Sequence, residues 1–202
     1  MKEQQYGQLI NQAKSLVSGE HDLIANMANI SALLFNSLEE VNWAGFYLYK
    51  EEQLVLGPFQ GQPACIRIPL GKGVCGTSAS TRTVQRIADV HQFEGHIACD
   101  AASNSEIVVP LVLNDVLVGV LDIDSPVFER FTEEDEKGLV EIAQILIALF
   151  LSSCMIQSGL DKVFDWKGNN DFLKSHFSKT FLSGMVPMML FIVTLLELMG
   201  GL

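Results

Sequence analysis

The chain has 202 residues, 49% hydrophobic and 18% charged, which excludes a disordered chain and fits one domain of ordinary size with a modest extra segment. Its net charge of −11 disfavours nucleic acid as a partner, because phosphate binding needs clustered Lys and Arg. The charge is unevenly placed. Residues 1–158 hold 9 basic and 20 acidic side chains and residues 159–202 hold 4 of each, so composition divides the chain near Ser158.

The opening MKEQQYGQLINQAKSLVSGE lacks an apolar run of signal-peptide length, so the first part is expected in the cytosol. Residues 4–17 and 21–38 read as helices, the second from a 3.6-residue stripe of Leu23, Ile24, Met27, Ile30, Leu33 and Leu34. NWAGFYLYK and QLVLGPF are β-rich and joined by a turn-like KEE, which predicts an antiparallel pair. CIRIPL reads as a further strand, and GKGVCGTSASTRT as a glycine-rich loop entering a short helix. VVPLVLNDVLVGVLDI predicts a hairpin turning at Asn114-Asp115, and FTEEDEKGLVEIAQIL a helix with Thr132 as N-cap and Asp135 three residues on. Helices, an antiparallel sheet and a closing helix make the fold α+β.

The last part differs in kind. ILIALFLSSCMI (145–156) is apolar all round but short for a membrane span, and reads as a continuation of the preceding helix. FLSGMVPMMLFIVTLLELMGGL (181–202) has one charge, Glu197, and is long enough to cross a bilayer. The loop expected between them carries four lysines and prefers the cytoplasm, which fits a single crossing at 181–202.

Four clusters hold the chemistry-bearing residues: NWAGFY, PACIRIPLGKGVCGT, HIACDAASNSE and LDIDS. Asp122 and Asp124, two apart on a strand, share a face; they are either a solvated strand end or a carboxylate pair facing a pocket. Glu106 begins the neighbouring strand and would lie near them; three clustered carboxylates raise one another's pKa unless a cation joins them. Trp43 and Tyr47 also share a face, as core or as the wall of a small pocket suited to a methyl-thioether group. GKGVCG lacks the full phosphate-loop pattern, which dismisses nucleoside triphosphates. None of the four cysteines is in CxxC spacing, and His91 and His96 make no recognisable zinc pattern, so no metal site is expected. Cys154, in an apolar run, reads as inert packing. Cys75 sits at a helix start, where the dipole could lower its pKa or the core could take it up. Cys65 follows a proline at a strand edge. Cys99 lies in a loop of small polar residues, and Asp100 beside it disfavours the thiolate. Residue physics leaves Cys99 open between filler and nucleophile.

Taken in order, WAGFYL, LGPFQG, CIRIPLGKGVCGT, HIACDAASNSEIVVPL and GVLDIDS resemble the free methionine-(R)-sulfoxide reductases, small enzymes built on a GAF domain. The resemblance spans about residues 5–150. It implies a GAF-like central six-stranded antiparallel sheet flanked by helices over 1–150, with a hydrophobic helical tail over 151–202. It also implies reduction of free L-methionine (R)-S-oxide. Cys99 would be the nucleophile, Cys65 the resolving partner and Cys75 a second candidate resolving thiol. Glu106, Asp122 and Asp124 would bind the substrate and polarise the sulfoxide, with Trp43 and Tyr47 as the aromatic wall. The implied chemistry needs no metal or organic cofactor, only an external dithiol such as thioredoxin. Its implied partners are free methionine-(R)-sulfoxide and thioredoxin, with membrane contact through 181–202 and a homodimer left open. The rival reading is a GAF sensor module that binds a small ligand or reads redox state without turnover. Beyond residue 150 the pattern stops, and QSGLDKVFDWKGN with the apolar run after it resembles the start of DoxX-like membrane proteins.

Overall fold

In the computed structural model, which describes residues 2–97 and 99–201, two helices precede the sheet: α1 (Lys2–Val17) and α2 (Leu23–Ser37). Ala98, within HIACDAASNSE, and Leu202, at the end of the 181–202 segment, lie outside the described residues, as does Met1. Asp22 caps α2 by accepting from the Ala25 N–H at 2.8 Å, and the predicted stripe buries Met27, Ile30 and Leu34.

Six strands come next: β1 (Trp43–Lys50), β2 (Gln53–Gly61), β3 (Arg67–Pro69), β4 (Gln85–Ile87), β5 (Ser105–Leu113) and β6 (Val116–Ser125). They form one antiparallel sheet in the order β3-β2-β1-β6-β5-β4. Both tight turns use positive φ at two consecutive residues, Glu51 and Glu52 in one, Asn114 and Asp115 in the other. That backbone twist matches the twist of the strands it joins. The central strand β1 is buried on both faces, with Ala44, Phe46 and Leu48 alternating with Trp43 and Tyr47. Helix α2 packs on β1 and β2, and α3 (Gly73–Thr81) packs on β5 and β6.

The structure sharpens several expectations. CIRIPL contributes only the three residues of β3, because Cys65 is tied into a disulfide before the strand and Gly71 turns the chain after it. Strand β4 has no sequence signal, since three residues at a sheet edge are too few for an alternation. The last long helix, α4 (Glu133–Phe164), runs unbroken through 145–156, as read. The expected lysine loop is instead mostly helix α5 (Trp166–His176), started by Asp165, whose carboxylate accepts from the Gly168 N–H at 3.0 Å. Within 181–202 a short 3-10 turn (Phe181–Met185) precedes α6 (Val186–Gly201). Pro187 falls in its first turn, where a missing N–H costs nothing.

Two compact units result, Met1–Ile147 and Ala148–Leu202. In the second, Gly159 lets α6 come close: a Cβ there would lie 2.7 Å from Leu198 Cδ2. Lys162 Nζ lies 2.9 Å from Glu197 Oε2 and donates to Ser158 Oγ at 2.7 Å, so the single charge of the apolar helix is paired. Phe181, Phe191, Leu196 and Met199 stay exposed, and so does Cys154, against the expectation that it packs in a core. An all-apolar helix has more apolar surface than one neighbouring helix can cover.

In the first unit Asp135 is the buried polar anchor. It accepts from Lys2 Nζ at 2.6 Å, Tyr6 Oη at 2.9 Å, Arg130 Nη1 at 3.3 Å and the Thr132 N–H at 2.7 Å. The last of these is the return half of a capping box, but Thr132 Oγ1 donates to Asp135 as well, at 2.9 Å. Burial alone would raise the Asp135 pKa, yet these donors together hold it down at about 2. A depressed carboxyl pKa contributes stability above the unfolded value near 4 and loses it as pH falls toward 2. Asp135→Asn is therefore expected to destabilise the folded state at pH 7 by roughly 3 kcal/mol. In urea denaturation the deficit should shrink below pH 4, and an unchanged midpoint at pH 7 would contradict the anchor role.

Candidate active site

Strand register builds the site before any side chain is considered. Trp43, Asp124 and Glu106 face one another across β1, β6 and β5 in one row, and Gly45, Asp122 and Val108 form the next. Alternation along each strand puts Trp43, Tyr47, Asp122, Asp124 and Glu106 on one face, and all five line a single cleft. The Trp43 indole stacks between Tyr47 and Phe59, with ring centroids 5.8 and 5.3 Å away, and its N–H donates to the Gln62 carbonyl at 3.1 Å. Gly45 makes room for this, since a Cβ there would come within 2.6 Å of Trp43 Cη2. The aromatic wall is thus fixed in position along the cleft.

Three cysteines surround the acids. Cys65 and Cys99 are joined in a disulfide with their Cα atoms 5.4 Å apart, so two residues 34 apart in sequence meet, and Cys99 lines the cleft. Cys75, in the first turn of α3, is free and buried, and its Sγ lies 3.8 Å from Glu106 Oε1. Of the two readings of this helix start, a dipole-lowered thiol or uptake into the core, the structure has the second. Burial pushes the thiol well up, and the charges of Asp122 and Glu106 push it further.

The same desolvation acts on the carboxyls. Glu106 and Asp124 are pushed well above the ordinary range, by burial first and then by the neighbouring Asp122 charge. Asp122 rises only to about 6, because hydrogen bonds from Cys75 and Glu106 offset part of its burial. Asp122 is therefore the first of the three to ionise. Its Oδ1 is buried without a hydrogen-bond partner. An anionic cleft with unspent acceptor capacity is built to receive a cation.

The comparisons with known proteins agree with this geometry. The GAF domain family matches residues 25–149. The free methionine-R-sulfoxide reductase of Escherichia coli (strain K12) is 59% identical over 137 residues, 68% of this chain and 83% of that protein. This chain belongs to that family of GAF-domain proteins. Two solved relatives carry substrate: free methionine-R-sulfoxide reductase from Neisseria meningitidis and the fRMsr of Staphylococcus aureus. The first superposes with a TM-score of 0.73 at 42% identity, covering 76% of this chain and 92% of that one. The second gives 0.69 at 53%, covering 72% and 95%.

Measured on this GAF domain, the sequence reading missed several cleft residues. His96, Ile97, Asp100 and Ser103 also line the cleft, as do Lys72 and Gly73 at the start of α3. Their signal was position alone, since they flank residues already singled out. Asp100, expected to act on Cys99, spends its carboxylate on structure: it accepts from Asn42 Nδ2 at 3.1 Å and from the Ala102 N–H at 2.9 Å. Asn42 also donates to Ser103 Oγ at 3.1 Å, which ties the cysteine-bearing loop to β1. His91 Nε2 bonds Asn104 Oδ1 at 3.0 Å. The His96 pKa is lowered by partial burial and by the His91 charge.

The raised Asp122 has a cost for the protein without a guest. A carboxyl whose folded pKa is raised destabilises the fold at pH above that value and recovers as pH falls through it to the unfolded value near 4. Asp122→Asn is expected to stabilise the fold at pH 7 by on the order of 2 kcal/mol, a gain that fades by pH 4. Thermal melts at the two pH values measure it, and a gain equal at both would refute the titration.

Proposed function

We propose that this chain reduces free methionine-(R)-sulfoxide to methionine with thiols as the reductant. The observation that carries the reading is the meeting, at one cleft, of the Trp43 wall, Cys99 with its disulfide partner Cys65, the buried carboxyls of Glu106 and Asp122, and the half-buried Asp124. The substrate offers a partner to each: a methyl group for the indole face, an ammonium for the carboxylates and an S=O group for the thiol. The substrate-bearing relatives from Neisseria meningitidis and Staphylococcus aureus support the same assignment.

Atoms and electrons balance at each step. The Cys99 thiolate attacks the sulfoxide sulfur while a protonated carboxyl of the cluster donates to the oxygen. Oxygen passes to Cys99, giving methionine and a sulfenic acid. The Cys65 thiol then condenses with that sulfenic acid, releasing water and forming the disulfide. A thioredoxin-type dithiol outside the protein reduces this disulfide by exchange. Cys75 is the candidate second resolving thiol. This chain's own residues supply binding, orientation and protons, and the sequence calls for no metal or organic group in these steps.

The same reading sets the domain layout: 1–150 as the reductase domain in the cytoplasm and 151–202 as an apolar segment that tethers it through 181–202. Among the described residues two helices have the length and hydropathy for a span, Glu133–Phe164 and Phe181–Gly201. The GAF match ends at residue 149, and the DoxX-like resemblance of residues 157–169 and the apolar run after them has no support from the relatives.

Cys99→Ser is expected to lower kcat/KM for the free (R)-sulfoxide at least about 1000-fold, and Glu106→Gln roughly 100-fold. Retained turnover in Cys99→Ser would overturn the mechanism, and binding without any turnover in the parent would select the sensor reading. Peptide-bound sulfoxide should be a poor substrate, because it lacks the free ammonium. Cys65→Ser should release about one methionine per chain and stop. Continued turnover that vanishes in the Cys65→Ser/Cys75→Ser double variant would assign resolution to Cys75. Carbonate extraction of membranes should leave the full chain in the pellet and release one ending at residue 158.

A further inference from the structure

One buried group is left without a settled task by the steps above: the free thiol of Cys75, set among carboxylates. Its Sγ and one carboxylate oxygen each from Glu106 and Asp122 lie within 4.8 Å of one another, and all three residues are buried. Cys75 belongs to α3, Glu106 to β5 and Asp122 to β6, so three elements present one ligand atom each. A tetrahedral ion with a sulfur ligand near 2.3 Å and oxygen ligands near 2.1 Å needs its ligands about 3.5 Å apart. The Cys75 Sγ–Glu106 Oε1 distance of 3.8 Å is already close to that.

Two further observations point to an occupant. Asp122 Oδ1 is buried, lines the cleft and has no hydrogen-bond partner, so an acceptor aims into the site unused. With Cys65 and Cys99 joined, the cleft keeps about 30 Å³ of room for the centre of a water molecule. That holds an ion and a water.

We propose that Cys75, Glu106 and Asp122 form a binding site for a thiophilic divalent cation of the Zn²⁺ class, open in the disulfide form and overlapping the place where substrate ammonium sits. The mixed sulfur and oxygen donor set selects a borderline ion over Mg²⁺ or Ca²⁺, which take oxygen alone. Asp124, half-buried beside Asp122 on the same face, is not needed as a ligand. Binding displaces the protons held by the thiol and the carboxyls into solvent and leaves a fourth position for water. The ion would lock out substrate from the oxidised enzyme. The overlap with substrate rests on the functional reading above, whereas the ion site itself does not.

Cd²⁺ is the probe, added to the full chain in mild detergent with the Cys65–Cys99 disulfide intact and Cys154→Ser as background, so that Cys75 is the one remaining free cysteine. The expected result is a cadmium–thiolate charge-transfer band saturating at one ion per chain. Cys75→Ser should abolish it, and Asp122→Asn, which keeps the thiol, should weaken binding on the order of 100-fold. Thermal melts of each variant without metal verify that it is folded. No band in the background protein, a band that survives Cys75→Ser, or undiminished binding in folded Asp122→Asn would overturn the site. Free methionine should raise the apparent Kd for Cd²⁺ at least tenfold. A band that methionine leaves unmoved would refute the overlap and, with it, the placing of the ammonium on these acids.

Discussion

Setting a buried thiol and three carboxyls, two of them buried, against one another is the constraint on which the rest of the domain turns. Glu106, Asp122 and Asp124 cannot all carry charge in a dry cleft, so without a guest the site holds protons it would not hold in water. The sheet makes this arrangement inescapable. β1, β6 and β5 are central strands whose register sets Trp43, Asp124 and Glu106 in one line. No single rotamer change can take a side chain out of that line to water. A cation that brings its charge into the cleft relieves the whole cluster at once.

The aromatic and thiol parts depend on the same frame. Gly45 lets Trp43 lie flat between Tyr47 and Phe59, and this flat wall faces the acids across the cleft. The loop that carries Cys99 is held through Asn42, at the start of β1, by bonds to Asp100 and Ser103. Strand β1 therefore positions both the hydrophobic surface and the reactive loop. The Cys65–Cys99 disulfide ties that fixed loop to the segment just before β3, beside the cleft.

Much of this was legible in the sequence because period and turn chemistry report directly on backbone geometry. The α2 stripe, the β5–β6 hairpin at Asn114-Asp115 and the shared face of Asp122 and Asp124 are all consequences of spacing. What spacing could not report was burial. Asp122 and Asp124 read equally well as a solvated strand end, and only the packing of α3 over β5 and β6 encloses them. Cys75 shows the limit most clearly. Its position at a helix start left a lowered pKa and uptake into the core both open, and its three-dimensional neighbours decide for the second and push the thiol up. The metal-ligand pattern was invisible for the same reason, as its members come from residues 75, 106 and 122 with no recurring interval. The helix over Trp166–His176 was missed because a polar, lysine-bearing segment has no apolar period to announce it.

Asp122 and Asp135 are both almost fully buried, and their contrast shows how one domain assigns opposite tasks to the same side chain. Asp135 is surrounded by donors: an ammonium, a guanidinium, a phenol and the backbone N–H of Thr132. Every lone pair is spent inside the protein, the charge is stabilised, and the residue ties α1 to α4. Asp122 is given too few donors and two acidic neighbours, so one oxygen is left unspent. The fold is less stable for it, and that deficit is what a cationic guest recovers on binding. A carboxylate that stabilises the protein by itself has nothing left to offer a ligand. The residues worth pursuing as functional are those whose burial the protein itself leaves uncompensated.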